Sequence, residues 1–194
     1  TDLVSLSKYS DTAVYAANKI LPSIVGISIT YNVTSSSPLY SMFGQGRGGS
    51  TTSEATASGS GIIISDDGYI VTNNHVVDSS SESTYYDISQ ATSLKVSLYG
   101  DDTQYEAQII GKDAQTDLAV LKIDKTGLTP AEFADSDTVK VGEFAMAVGN
   151  PLDLGTSITC GIVSALNRKV QDSDGKTTYT CIQTDAAINS GNSG

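Results

Sequence analysis

The sequence predicts an all-β chain of two successive units, preceded by one short helix. Three observations carry this. Short apolar runs of strand length alternate with turn residues over most of the 194 positions. The composition, with 18 glycines, no tryptophan and many serines and threonines, suits short strands joined by turns. A loop containing Pro130 separates six such runs from three later ones.

The elements follow in order. The run "DTAVYAANKIL" from Asp11 to Leu21 sets Val14, Ala17 and Leu21 on one helical face, and Pro22 ends it. Residues 1–22 therefore read as an N-terminal segment with a helix. The first β unit spans 23–125. It opens with "SIVGISITY", then passes through a polar Gly/Ser-rich stretch at 32–58, long enough to read as a mobile loop anchored only by Leu39, Tyr40, Met42 and Phe43. "SGIIIS", the "DDG" turn at Asp66–Gly68, "YIVTNN", "LKVSLYG", "QYEAQIIGKD" and "LAVLKID" complete six strands. Residues 126–140 form the connection. In 141–194, "EFAMAVGN", "TSITCGIVSAL" and "TYTCIQTDA" supply three strands, so the second unit reads as incomplete.

Composition excludes several classes of partner. Eleven Lys and Arg against 22 Asp and Glu give a net charge of −11, which repels nucleic acid and anionic lipid in the absence of a basic patch. No apolar run approaches the roughly 20 residues that cross a bilayer, and no basic segment followed by an apolar one opens the chain, so an export signal or anchor is expected outside it. Cys160 and Cys181 lack metal-ligand spacing. They read equally as two small apolar residues or as a disulfide across one hairpin. "DSDG" before Lys176 reads as a hairpin turn rather than a calcium loop, and "NVT" at Asn32 matches a glycosylation acceptor. No metal and no cofactor is expected.

The chemistry begins with the single histidine, His75, in "VTNNHVVD". A lone histidine is by default structural, but two further residues change its reading. Asp117 in "QTDLAVLKI" places a carboxylate at the head of an apolar run, where it needs a partner. Ser193 sits in "GNSG". A serine hydroxyl is a poor nucleophile until a base takes its proton, and imidazole titrates near neutral pH. A carboxylate on the other ring nitrogen holds the required tautomer and stabilises the imidazolium. Gly191 lets the backbone turn so that its N–H and that of Ser193 converge as an oxyanion hole. The chain order His, Asp, Ser is that of the chymotrypsin-like proteases.

The stretches "GSGIIISDDGYIVTNNHVV", "DAQTDLAVLKI", "VGEFAMAVGNPLDLGTSITCGIVSALNR" and "IQTDAAINSGNSG" closely resemble the HtrA (Do-like, DegP-like) family of trypsin-fold serine proteases, in order and approximate spacing. The resemblance covers nearly everything from Ile20 to Gly194 outside the polar loop. It implies two β-barrels, the second incomplete in this chain, with His75 and Asp117 on the first and Ser193 on the second. It implies a serine endopeptidase of the extracytoplasmic space, periplasmic, cell-surface or secreted, acting on unfolded or misfolded polypeptides or signalling proteins as a homotrimer. A membrane anchor or a PDZ domain would lie outside the chain, and the polar loop corresponds to a regulatory loop.

In that fold the residues before the serine line the pocket for the side chain preceding the cut bond; here they are Ala187, Ile188, Asn189 and Ser190. None carries a charge to pair with Lys or Arg, which implies small aliphatic side chains such as Val or Ala. Asn192 replaces the acidic residue of digestive relatives and disfavours activation by propeptide removal. Ser190 stands where many relatives have proline, which frees the loop. The chain taken alone is expected to be poorly active. The competing expectation is a chaperone or peptide-binding module that retains the triad in an incomplete site.

Overall fold

The computed structural model describes residues 6–35, 51–78, 86–150, 155–171, 175 and 177–188. Helix α1 (Leu6–Ile20) runs into a 3-10 turn at Leu21–Ser23 that contains Pro22. Its less exposed face is Ala13, Ala16, Ala17 and Ile20, one step round from the expected stripe, and Val14 is 57% exposed. Tyr9 packs edge-on to Phe144 at 5.6 Å between ring centroids, and Lys19 Nζ meets Glu132 Oε2 at 2.7 Å.

Six strands close into a barrel in the order β1-β2-β3-β6-β5-β4: β1 (Ile24–Ser35), β2 (Thr51–Ile63), β3 (Tyr69–Asn73), β4 (Tyr86–Leu98), β5 (Gln104–Asp113) and β6 (Leu118–Ile123). The pairs are antiparallel, and β1 joins both β2 and β4. Alternation sets the core: Ala119, Leu121 and Ile123 point inward from β6, meeting Val25, Ile27, Ile63, Ile70 and Val96. Thr72 enters this interior with its hydroxyl donating to the Ser60 carbonyl at 2.7 Å, which satisfies the buried polar group.

The β2–β3 hairpin depends on Gly68. Its φ of +105° suits glycine, and a Cβ there would collide with the Ile123 carbonyl oxygen. Ser65 receives the Tyr69 N–H at 3.1 Å and donates to Asp67 at 2.5 Å, closing the turn.

Strands reach further into the polar stretch 32–58 than its composition suggests. β1 continues to Ser35 and β2 starts at Thr51, paired Ser35 to Thr51. The remainder of the expected loop, residues 36–50 with Leu39, Tyr40, Met42 and Phe43, lies outside the described residues. Backbone pairing does not require apolar side chains, so the polar sequence conceals the ladder.

The second unit is a three-stranded antiparallel sheet, a partial barrel: β7 (Phe144–Gly149), β8 (Ser157–Gln171) and β9 (Thr178–Thr184). The connection carries a 3-10 turn at Ser136–Thr138 and leans on the first barrel, with the Ala131 N–H donating to Ile63 O at 2.9 Å. A hydrogen bond also reaches across near the strand ends, from the Asn150 N–H to the buried Ser60 Oγ at 2.8 Å. The register removes the disulfide option. Cys160 lies opposite Met146 and Cys181 opposite Arg168, and both thiols are free. Of the "DSDG" turn, Gly175 is described, with φ +69° and its carbonyl accepting from Gln171 Nε2 at 2.6 Å.

Candidate active site

Strand register brings His75 and Asp117 together. β3 and β6 pair antiparallel with Asn73 opposite Leu118, so the residues just beyond, Asn74 on one chain and Asp117 on the other, are the next neighbours. At that point β3 turns into the short helix α2 (Asn74–Val77), which carries His75. The Asn74 N–H donates to the Asp117 carbonyl at 3.0 Å, and Asn73 Nδ2 donates to the same oxygen at 3.0 Å.

The Asp117 carboxylate is used twice. Oδ1 accepts the backbone N–H of His75 at 2.9 Å, and Oδ2 lies 2.8 Å from His75 Nδ1. One carboxylate thus fixes both the backbone and the ring of the same residue, so the imidazole cannot rotate without losing a charge-assisted contact. With Nδ1 donating its proton to Oδ2, Nε2 is left with a free lone pair. Asp117 reaches this geometry with φ +55°, a conformation tolerated by Asp more readily than by most residues. Its side chain is 26% exposed and that of His75 57% exposed, so the carboxylate is the sheltered partner and the imidazole the accessible one.

A second set of contacts braces α2 from behind. Val76 and Val77 are buried in the barrel core, Asn74 Nδ2 reaches Asp78 Oδ2 at 3.4 Å, and Lys112 Nζ on β5 meets Asp78 Oδ1 at 3.2 Å. Sequence reasoning passes over the two asparagines before His75; their signal is that paired carboxamides at a strand end have no apolar role.

Of the other expected site residues, Ala187 and Ile188 come after β9, Ala187 with its carbonyl accepting from Thr159 Oγ1 at 2.8 Å and Ile188 62% exposed. Asn189, Ser190, Gly191 and Ser193 lie outside the described residues, as does Asn192. Among the described residues, no group of three or more His, Cys, Asp or Glu side chains is placed to hold a metal ion.

Comparisons with known proteins bear on the family of the chain. A family model described as trypsin-like peptidase domain matches residues 59–194. The chain is 37% identical over 205 residues to the periplasmic serine endoprotease DegP of Escherichia coli (strain K12), covering 91% of this chain and 40% of that protein. It is 42% identical over 196 residues to the serine protease Do-like HtrA of Bacillus subtilis (strain 168), covering 97% and 39%. The chain thus spans about 40% of the length of these relatives. Among solved structures, the HtrA-type protease AlgW with decapeptide superposes with a TM-score of 0.68 at 35% identity, covering 93% of this chain and 53% of that one. The crystal structure of Deg5 superposes with a TM-score of 0.67 at 30% identity, covering 98% and 79%. With a trypsin-like domain matched over most of its length, this chain belongs to the HtrA family of trypsin-fold serine endoproteases.

Proposed function

We propose that His75, Asp117 and Ser193 form the catalytic triad of a serine endopeptidase acting on polypeptides. The observation that carries this is the Asp117 carboxylate, bound at once to the His75 ring at 2.8 Å and to its backbone N–H at 2.9 Å. A structural histidine needs one hydrogen-bond partner; this one has both ring and backbone held by one carboxylate while its side chain stays 57% exposed.

In this reading His75 Nε2 removes the hydroxyl proton as Ser193 Oγ attacks the scissile carbonyl. The new C–O bond pushes an electron pair onto the carbonyl oxygen, which the N–H groups of Gly191 and Ser193 receive. The imidazolium, stabilised by Asp117, then gives its proton to the leaving amine as the C–N bond breaks. Water, deprotonated by the same nitrogen, releases the acyl group from Ser193 and restores the enzyme.

Ala187, Ile188, Asn189 and Ser190 line the pocket for the residue before the cut bond. Bearing no formal side-chain charge, they favour small aliphatic side chains there. Unfolded polypeptides are the proposed substrates, a homotrimer the proposed assembly, and the extracytoplasmic space the proposed location. The E. coli relative is by name a periplasmic endoprotease, and the AlgW structure is one with a decapeptide, both in keeping with this reading.

A fluorophosphonate probe tests it. The full-length protein is expected to gain one probe, on Ser193, and to cleave an unfolded protein. Ser193→Ala and His75→Ala should each lower kcat by about 10⁴-fold or more. Unchanged turnover in Ser193→Ala would remove the serine mechanism. A protein that binds unfolded chains yet takes up no probe would instead be a binding module.

A further inference from the structure

We infer that Asp185 is a positioning residue for the segment carrying the proposed nucleophile, acting as a side-chain substitute for the β-ladder where β9 leaves β8; this rests on the reading of Ser193 as that nucleophile. The β8–β9 ladder ends with Val163 opposite Thr184. The next residue along β8, Ile162, still directs a backbone N–H and C=O toward the side that β9 has vacated. Val163 uses its own N–H and C=O in the other direction, on Glu143 O and Gly142 N, both at 2.8 Å.

Two side chains take the exposed positions. The Ile162 N–H donates to Asp185 Oδ1 at 2.7 Å, and the Thr184 hydroxyl donates to Ile162 O at 2.9 Å. Thr184 Oγ1 also accepts the Ala186 N–H at 3.1 Å, and Thr159 Oγ1 closes the series on Ala187 O. Both groups of Ile162 are therefore satisfied without a continuing strand. Residues 185–188 leave extended geometry while remaining tied to β8.

Gly161 makes the approach sterically possible. A Cβ there would overlap Asp185 Oδ1 and sit 2.5 Å from the Ala186 nitrogen, the second contact being with backbone that cannot swing aside. Ala186 is itself buried, at 4% exposure, so the pivot of the departing segment is fixed on both sides. Asp185 lies eight positions before Ser193 in the chain, and among the described residues its carboxylate bonds Ile162 rather than His75 or Asp117. Its effect is to aim the segment that leads to the serine.

The test compares Asp185→Ala, Asp185→Asn and Gly161→Ala with the parent in the full-length protein. Four quantities are read: fluorophosphonate labelling rate, kcat, KM for a peptide, and Tm. Losing the carboxylate that anchors Ile162 should slow labelling and kcat about 10-fold in Asp185→Ala, with KM and Tm near those of the parent. Asp185→Asn keeps an acceptor oxygen of the same reach and should recover most of the rate. Gly161→Ala, which displaces the carboxylate and also presses on the Ala186 backbone, should slow labelling as Asp185→Ala does but with a lower Tm. Parent-like labelling in Asp185→Ala overturns the inference, and so does a rate loss that tracks a fall in Tm in all three variants. If Asp185→Ala does not fold, the contrast between Asp185→Asn and Gly161→Ala decides. Ser193→Ala serves as the control. If it retains activity, the reading of the nucleophile fails; if it is inactive while Asp185→Ala is unaffected, only the positioning role fails.

Discussion

Within the described residues, the two β units are built from similar strands but differ in how much of their apolar surface is buried. In the first, closure of six strands seals the interior: Val25, Ile27, Ile70, Val96 and Leu121 are all fully buried. In the second, Val163 is the buried hydrophobic residue among the described strand positions, while Ile158, Ile162, Val170 and Ile182 are 37–50% exposed. Closing a sheet removes both its edges and its uncovered face. The half of the proposed triad that must keep a fixed geometry, His75 with Asp117, is mounted on the closed unit. The segment bearing Ser193 continues from the second unit, where Asp185 and Thr184 hold the end of β9 to Ile162 by side-chain hydrogen bonds.

The largest effect expected from this contrast is in stability. Leu121→Ala, which empties part of a sealed barrel, should cost about 2–5 kcal/mol by urea denaturation. Ile182→Ala, on a half-exposed position of β9, should cost less than about 1 kcal/mol. Equal losses would break the comparison, because they would mean that the face bearing Ile182 is covered in the assembled protein.

A smaller effect tests how the barrel is closed. Gly68→Ala forces an unfavourable φ and drives a methyl into the Ile123 carbonyl, and should cost about 1–3 kcal/mol. Gly175→Ala, also at positive φ but with no atom of the described residues within 4 Å of the added methyl, should cost less. Melting temperatures of the two variants sharpen the contrast between a turn locked against a neighbouring strand and one free of such contact.

Both the strand count and the His75–Asp117 pair are legible in the sequence, for identifiable reasons. Runs such as "LAVLKI" carry the period-2 alternation that a barrel interior imposes, and a carboxylate at the head of such a run signals a partner. Features that depend on backbone pairing alone stay hidden. The outer ladder of β1, β2 and β4 carries Asn, Thr, Ser and Glu and leaves no apolar pattern, so the strand ends at Ser35, Thr51 and Tyr86 leave no mark in the sequence. Helix α1 begins at Leu6, five residues before the expected Asp11, and its less exposed face is turned to Ala13, Ala16, Ala17 and Ile20, whose small alanines give a weaker apolar signal than Val14. The second use of Asp117, on the backbone N–H of His75, depends on a positive φ that no spacing rule indicates. Asp185 escapes notice for a related reason: its partner is a main-chain N–H on a neighbouring strand.

The smallest expected effect concerns the β4–β5 turn of the closed unit. Asp101 is held down to about pKa 2 by hydrogen bonds from Thr103, side chain and backbone, and from the Tyr105 hydroxyl. The geometry is direct, with Thr103 N–H at 2.9 Å from Oδ1 and Tyr105 Oη at 2.8 Å from Oδ2. A carboxyl whose folded pKa lies below its unfolded value favours the folded state above the unfolded pKa, near 4. That contribution is lost as pH falls from about 4 through about 2. Since the group is solvent-exposed, screening keeps the effect small. Carbon-detected NMR titration should find Asp101 still ionised at pH 3, and Asp101→Asn should lower Tm slightly at pH 7 but not at pH 2. A midpoint near 4 would mean that the turn is not pre-set by its own side chains. Ordering of the β4–β5 hairpin would then fall to ladder pairs such as Val96 with Tyr105, and the closed unit would depend on strand pairing and packing even at this tip.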